Sequence, residues 1–150
     1  MNQNTTLTKT EIVVETLAFY GMGGEFSADK RTGSCCYHQP ETGRMCAVGR
    51  CLTPDSVPEE FYNSSQLDEL DLDYVEDFQP PYQGHEVAFW GDLQRVHDTA
   101  ALYSVGCVGF TGSSAPYMAL RSINNHYELE LPLDDPEFRL LYPAFFYSVR

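Results

Sequence analysis

The chain has no run of about 18 apolar residues, the length a membrane-crossing helix needs. Its opening, MNQNTTLTKT, lacks the charged-then-apolar pattern of a secretory signal. These two absences predict a protein that stays in the cell that makes it. Cysteine is sparse and odd in number, with five in all, and the neighbours Cys35 and Cys36 would strain any bond between them. A disulfide framework is therefore not expected, and the thiols read as free in a reducing compartment. There is no C-x-x-C pair, no P-loop ending in Lys-Ser/Thr and no dinucleotide fingerprint. No cofactor and no metal are expected on those grounds.

Basic residues are the other scarcity. Nine Lys and Arg stand against 22 Asp and Glu, a formal net charge of −13. The imbalance is local. Residues 1–50 hold five acids and five bases, residues 51–100 hold twelve acids and only Arg95, and residues 101–150 hold five acids and three bases. The middle third therefore carries −11 of the −13. Such a field repels nucleic acid and anionic membranes and attracts basic partners.

What is present suits a globular chain. At 150 residues with 43% hydrophobic and 13% aromatic side chains, the chain is long and apolar enough for one domain over 1–150. Thr8 and Glu11 form a capping-box pattern before Ile12, Val13, Leu17 and Tyr20 at helical spacing, with Gly21 as the stop. Ser34–Leu52 reads as a β-hairpin, with CCYH and MCAV as strands and Glu41-Thr42-Gly43 as the turn. His85–Tyr103 is a second helix with Val87, Trp90, Leu93, Val96 and Leu102 on its buried face. Pro116–Leu129 suits a third helix, with Met118, Leu120, Ile123 and Tyr127 apolar, and Asp134–Tyr142 a last one opened by Asp-Asp-Pro. The expected fold is α+β, with helices packed around a β-hairpin or small antiparallel sheet.

Four groups of residues bear chemistry. Cys46 and His97 are a candidate nucleophile and base. Asp98 follows His97, but adjacent helical residues diverge by about 100°, so another acceptor is expected to orient the ring. The ordinary reading is a buried thiol and a helix-end histidine favoured by the helix dipole. Cys35, Cys36, His38, Cys46 and Cys51 offer soft zinc ligands within seventeen residues, without the customary paired spacing. Of two glycine runs, GMGG reads as a helix stop, while VGCVGFTGSS, with Thr111, Ser113 and Ser114, is the better anion cradle. A nucleotide-like ligand held there would need bases such as Arg44, Arg50, Arg95 or Arg121 to converge. Finally Asp55, Glu59, Glu60, Asp68, Glu69, Asp71, Asp73, Glu76 and Asp77 fall within 23 positions free of Lys and Arg. Asp71 and Asp73 alternate, but no glycine and distal glutamate follow to make a calcium loop. A solvated face is the ordinary reading, and a surface for a basic partner is the functional one.

The string C-C-Y-H…G-R-M-C-A-V-G-R-C-L-T-P-D, followed by L-Q-R-V-H-D, resembles a group of small phage-encoded proteins. These look like C-x-Y…G-x-x-C-A-[VI]-G-x-L-I-P-D, then a helix bearing L-Q-x-[VI]-H-D. The matching positions are Cys35, Tyr37, Gly43, Cys46, Ala47, Val48, Gly49, Leu52, Pro54 and Asp55, then Leu93, Gln94, Val96, His97 and Asp98. One extra residue stands between Gly49 and Leu52, and Thr53 replaces the usual Ile. The resemblance spans residues 35–98 and implies a viral accessory protein acting on host machinery in the host cytoplasm. With the charge map, it points to an inhibitor of a basic, nucleic-acid-handling defence protein rather than an enzyme. Asp68, Glu69, Asp71, Asp73, Glu76 and Asp77 would form the contact, with no nucleic acid or membrane bound directly. The alternatives are a pocket sequestering a nucleotide-like signal and a thiol enzyme using Cys46 and His97.

Overall fold

In the computed structural model, residues 6–21, 28–29, 34–35, 45–53, 77–104 and 115–146 are described. Four α-helices dominate them: α1 (Lys9–Gly21), α2 (Val87–Ser104), α3 (Ala115–His126) and α4 (Pro136–Leu141). Single 3-10 turns at Gly49–Cys51, Pro80–Tyr82 and Pro143–Phe145 join them to the core. No described helix is long and apolar enough to cross a membrane.

The capping chemistry is as the sequence predicts. Glu11 N–H donates to Thr8 Oγ1 at 3.1 Å while Thr8 N–H donates to Glu11 Oε1 at 2.8 Å, a reciprocal capping box that starts α1. Asp135 accepts from Glu137 N–H and Pro136 occupies the first turn of α4. Ile12, Val13, Leu17 and Tyr20 are buried, as are Trp90, Leu93, Val96, Leu120 and Ile123. Val87, expected on the buried face of its helix, is instead exposed, as is the apolar Met118 of α3.

The α+β expectation is overturned. Among the described residues, paired extended backbone amounts to a two-residue antiparallel match of Ala28–Asp29 with Ser34–Cys35 and an isolated bridge from Leu52 to Phe78. Neither builds a sheet layer, and the architecture is all-α. The second expected strand, MCAV, leads into a helical turn. Arg50 N–H reaches Cys46 O at 3.0 Å, Cys51 N–H reaches Val48 O at 2.9 Å, and Val48 has helical angles of φ −76° and ψ −45°. A four-residue apolar run has no period long enough to separate strand from buried helical turn. Here bonds within the turn and a side chain from α2 decide for the turn.

α2 and α3 share the most extensive interface between elements. Trp90 lies fully buried in α2, stacked on Phe78 with ring centroids 4.6 Å apart and edge-on to Phe89 at 5.3 Å. The Pro143–Phe145 turn closes the cluster against α1, where Gly21 lets Tyr142 approach so closely that a Cβ would lie 3.2 Å from its Cα. The 46–51 turn sits against α2 with Cys46, Ala47, Val48 and Cys51 buried. That packing sets the geometry of the Cys/His centre.

Candidate functional site: a buried Cys/His centre

The two halves of the sequence motif meet in space. Gln94, on α2, accepts from Val48 N–H through Oε1 at 3.2 Å and donates through Nε2 to Asp98 Oδ1 at 2.8 Å. Residues four apart share a helix face, so Gln94 and Asp98 act as one unit. His97 Nδ1 lies 2.9 Å from that same Asp98 oxygen. This corrects the expectation that Asp98 could not orient the ring. The Cβ atoms diverge, yet the carboxylate, drawn back along the helix by Gln94, reaches the imidazole at its tip. The His97 ring also stands edge-on to Tyr20, with centroids 4.9 Å apart.

Cys46 lies at the head of the turn. Its sulfur accepts from Gly49 N–H at 3.2 Å, and the neighbouring Met45 carbonyl accepts from the Tyr20 hydroxyl at 2.6 Å. The Cys46 side chain is fully buried. Burial pushes its thiol far above the ordinary range, and the Asp98 carboxylate pushes the same way. Contacts with Gly49, Gln94 and Val48 pull in the opposite direction without prevailing. Cys51 is buried too, its thiol raised to about 12 chiefly by desolvation, and its S–H donates to Ala47 O at 3.4 Å. Nucleophilic chemistry needs the thiolate, which this environment suppresses.

A second set of contacts locks the turn from the other side. The Arg50 guanidinium bonds Glu15 Oε1 at 2.9 Å and Thr16 Oγ1 at 3.2 Å. It lies over the rings of Phe19 and Tyr82, 5.3 and 5.8 Å from their centroids. Tyr82 donates its hydroxyl to the same Glu15 oxygen, and burial with that bond pushes the phenol up to about 12. Gln79 Nε2 donates to Arg50 O and Leu52 O at 3.0 and 2.9 Å. The centre is thus braced by α1, α2 and the 77–82 segment together.

The remaining candidates divide clearly. Asp68, Glu69, Asp71, Asp73 and Glu76 lie outside the described residues, as do Thr111, Ser113 and Ser114. Asp77 is described and half-buried, and its carbonyl accepts from Thr53 N–H at 2.9 Å beside the Leu52–Phe78 bridge. Of the soft zinc ligands, Cys46 and Cys51 are buried within the turn, while Cys36 and His38 fall outside the described residues. Among the described residues, no group of three or more His, Cys, Asp or Glu side chains could hold a metal.

Sequence reasoning placed Gln94 in the helix motif, Tyr20 on the apolar stripe of α1 and Arg50 among bases for a nucleotide-like ligand, but gave none of them a part in the Cys/His centre. The 94/98 spacing held the signal for the first, since Gln and Asp four apart pair on a helix. Nothing local marks Tyr20 or Arg50, whose partners come from distant segments. Comparison of the chain with protein-family models, curated proteins and solved structures finds no match.

Proposed function

We propose that this protein works by binding: a phage-type accessory inhibitor whose acidic centre occupies a basic, nucleic-acid-handling host protein in the host cytoplasm. The observation that carries this reading is the charge map, in which residues 51–100 hold twelve acids against Arg95 alone. Carboxylates at that density stand in for a phosphate backbone and set a fast, steered approach to a cationic groove. The state of the Cys/His centre supports the same side. A thiol buried and held protonated, and a histidine engaged by Asp98 and Tyr20, suit a brace better than a nucleophile and its base.

The test is capture from host lysate on immobilised protein at low salt and at about 0.5 M salt, where screening extends only a few ångströms. A basic protein retained at low salt, released at high salt and lost with Asp71→Lys/Asp73→Lys is the expected result. Binding that survives the charge reversal overturns the acidic contact. Alkylation of Cys46 in the native protein at neutral pH, at the rate of a free activated thiol, would favour the enzyme reading instead.

A further inference from the structure

The last described helix, α4, is ordered although none of its six residues is buried. A helix this short is not stable alone in water, so contacts outside it hold its shape. Arg139 supplies most of them. Its Nε donates to Leu133 O at 2.7 Å, its Nη2 to Asp134 Oδ1 at 2.8 Å, and its guanidinium lies over Tyr117 and Phe146. Phe138 packs edge-on against Tyr142 and Phe146. The consequence is a fixed turn that leaves Leu140 79% and Leu141 58% exposed, the two most exposed large hydrophobic side chains among the described residues.

We propose that the outer side of α4, centred on Leu140 and Leu141, docks a basic segment of a partner protein that carries apolar side chains. The charges around the leucines choose the occupant. Arg139, the one base of α4, is committed to Asp134 and the rings, while Glu137, three and four residues before the leucines and so on their side of the helix, stays exposed, as does Asp135 at the cap. A second copy would bring a net charge of −13 and the same carboxylates against their like. An apolar centre with a rim of one sign is complementary to a cationic surface with apolar anchors. The inference rests on the proposed function only in taking the protein to work by binding a basic partner; the leucines lie outside the central tract, and the acids beside them give the sign independently.

A synthetic amphipathic Lys/Leu helix is the probe, titrated by fluorescence anisotropy against the full chain. Leu140→Gln/Leu141→Gln keeps every charge and removes the apolar centre, and Val87→Gln controls for exposed apolar loss elsewhere. The wild type and Val87→Gln should bind alike, and the double variant about tenfold or more weaker, the scale of two leucines leaving an interface. The native emission of Trp90 confirms that each variant is folded. Equal binding by the double variant, no binding by the wild type, or a wild-type dimer that the double variant abolishes overturns the proposal. Asp71→Lys/Asp73→Lys, run in parallel, leaves the leucines intact, so failure of the central-tract reading shows separately.

Discussion

Glu128 and Glu130 adopt φ of 52° and 61°, the left-handed region that side chains with a Cβ avoid. Glu128 does so because α3 ends in a Schellman-type cap. Leu129 N–H returns to Asn124 O at 3.0 Å and Glu128 N–H to Asn125 O at 3.4 Å, which places Glu128 where glycine is usual. Asn124 then brackets Leu131, accepting from its N–H at 2.9 Å and donating to its carbonyl at 3.2 Å. These bonds turn Leu129 and Leu131 inward and leave both glutamates outside. Glu128→Gly should therefore stabilise the fold by about 0.5–1 kcal/mol, the left-handed cost relieved less the extra entropy of an unfolded glycine. Glu128→Ala removes the same charge but keeps the strained backbone, so it should gain less. Urea midpoints followed by the single buried Trp90 compare the two, and equal gains would assign the effect to charge alone. With neither Gly nor Asn at 128, nothing in the sequence announced this stop, and the predicted helix ran on to Leu129.

At the scale of elements, α2 holds the centre together through one face turn, Gln94 to Asp98. Gln94→Ala would strand the buried Val48 N–H and release Asp98 from its hold beside His97. The expected loss is about 1–3 kcal/mol, the range for leaving a buried donor unpaired. Thiol labelling reads the same event locally, because an opened 46–51 turn exposes Cys46. Faster labelling in Gln94→Ala than in the wild type at equal denaturant marks local loosening, and unchanged labelling would remove Gln94 from the brace. The four helices were legible because their signals are local: Thr8 with Glu11, Asp135 before Pro136, and apolar positions three and four apart. The 46–51 turn was not. Its conformation depends on Gln94, 46 residues downstream of Val48. Of the candidate site, the pairing of Cys46 with the Gln94–Asp98 segment was readable as two motifs, but their meeting, and the contact of Asp98 with His97, belong to tertiary structure.

For the molecule as a whole, the groups buried in the centre tie stability to pH on the alkaline side. Cys46, Cys51 and Tyr20 all keep their protons in the folded chain well above their ordinary values of 9.0, 9.0 and 10.0, with desolvation the first cause in each case. In the unfolded chain they titrate at those ordinary values. Below about pH 9 both states hold the protons, and these groups leave stability independent of pH. Above it the unfolded chain releases protons that the native chain retains, so stability falls as pH rises, by about 1.4 kcal/mol per unit for each group. Two thiols give a slope of about 3 kcal/mol per unit, and Tyr20, with a smaller share from the more solvent-screened Tyr82, steepens it above about pH 10. Against a typical stability of roughly 5–15 kcal/mol, the fold should fail within a few units of pH 9. Urea midpoints in reductant should stay level from about pH 7 to 8.5 and then drop. Cys46→Ala/Cys51→Ala should level the decline between about pH 9 and 10 and make it shallower above, leaving only the part due to the tyrosines. A wild type whose midpoint holds level to about pH 11 would show that the centre opens to solvent without unfolding, and would return Cys46 to the ranks of accessible thiols.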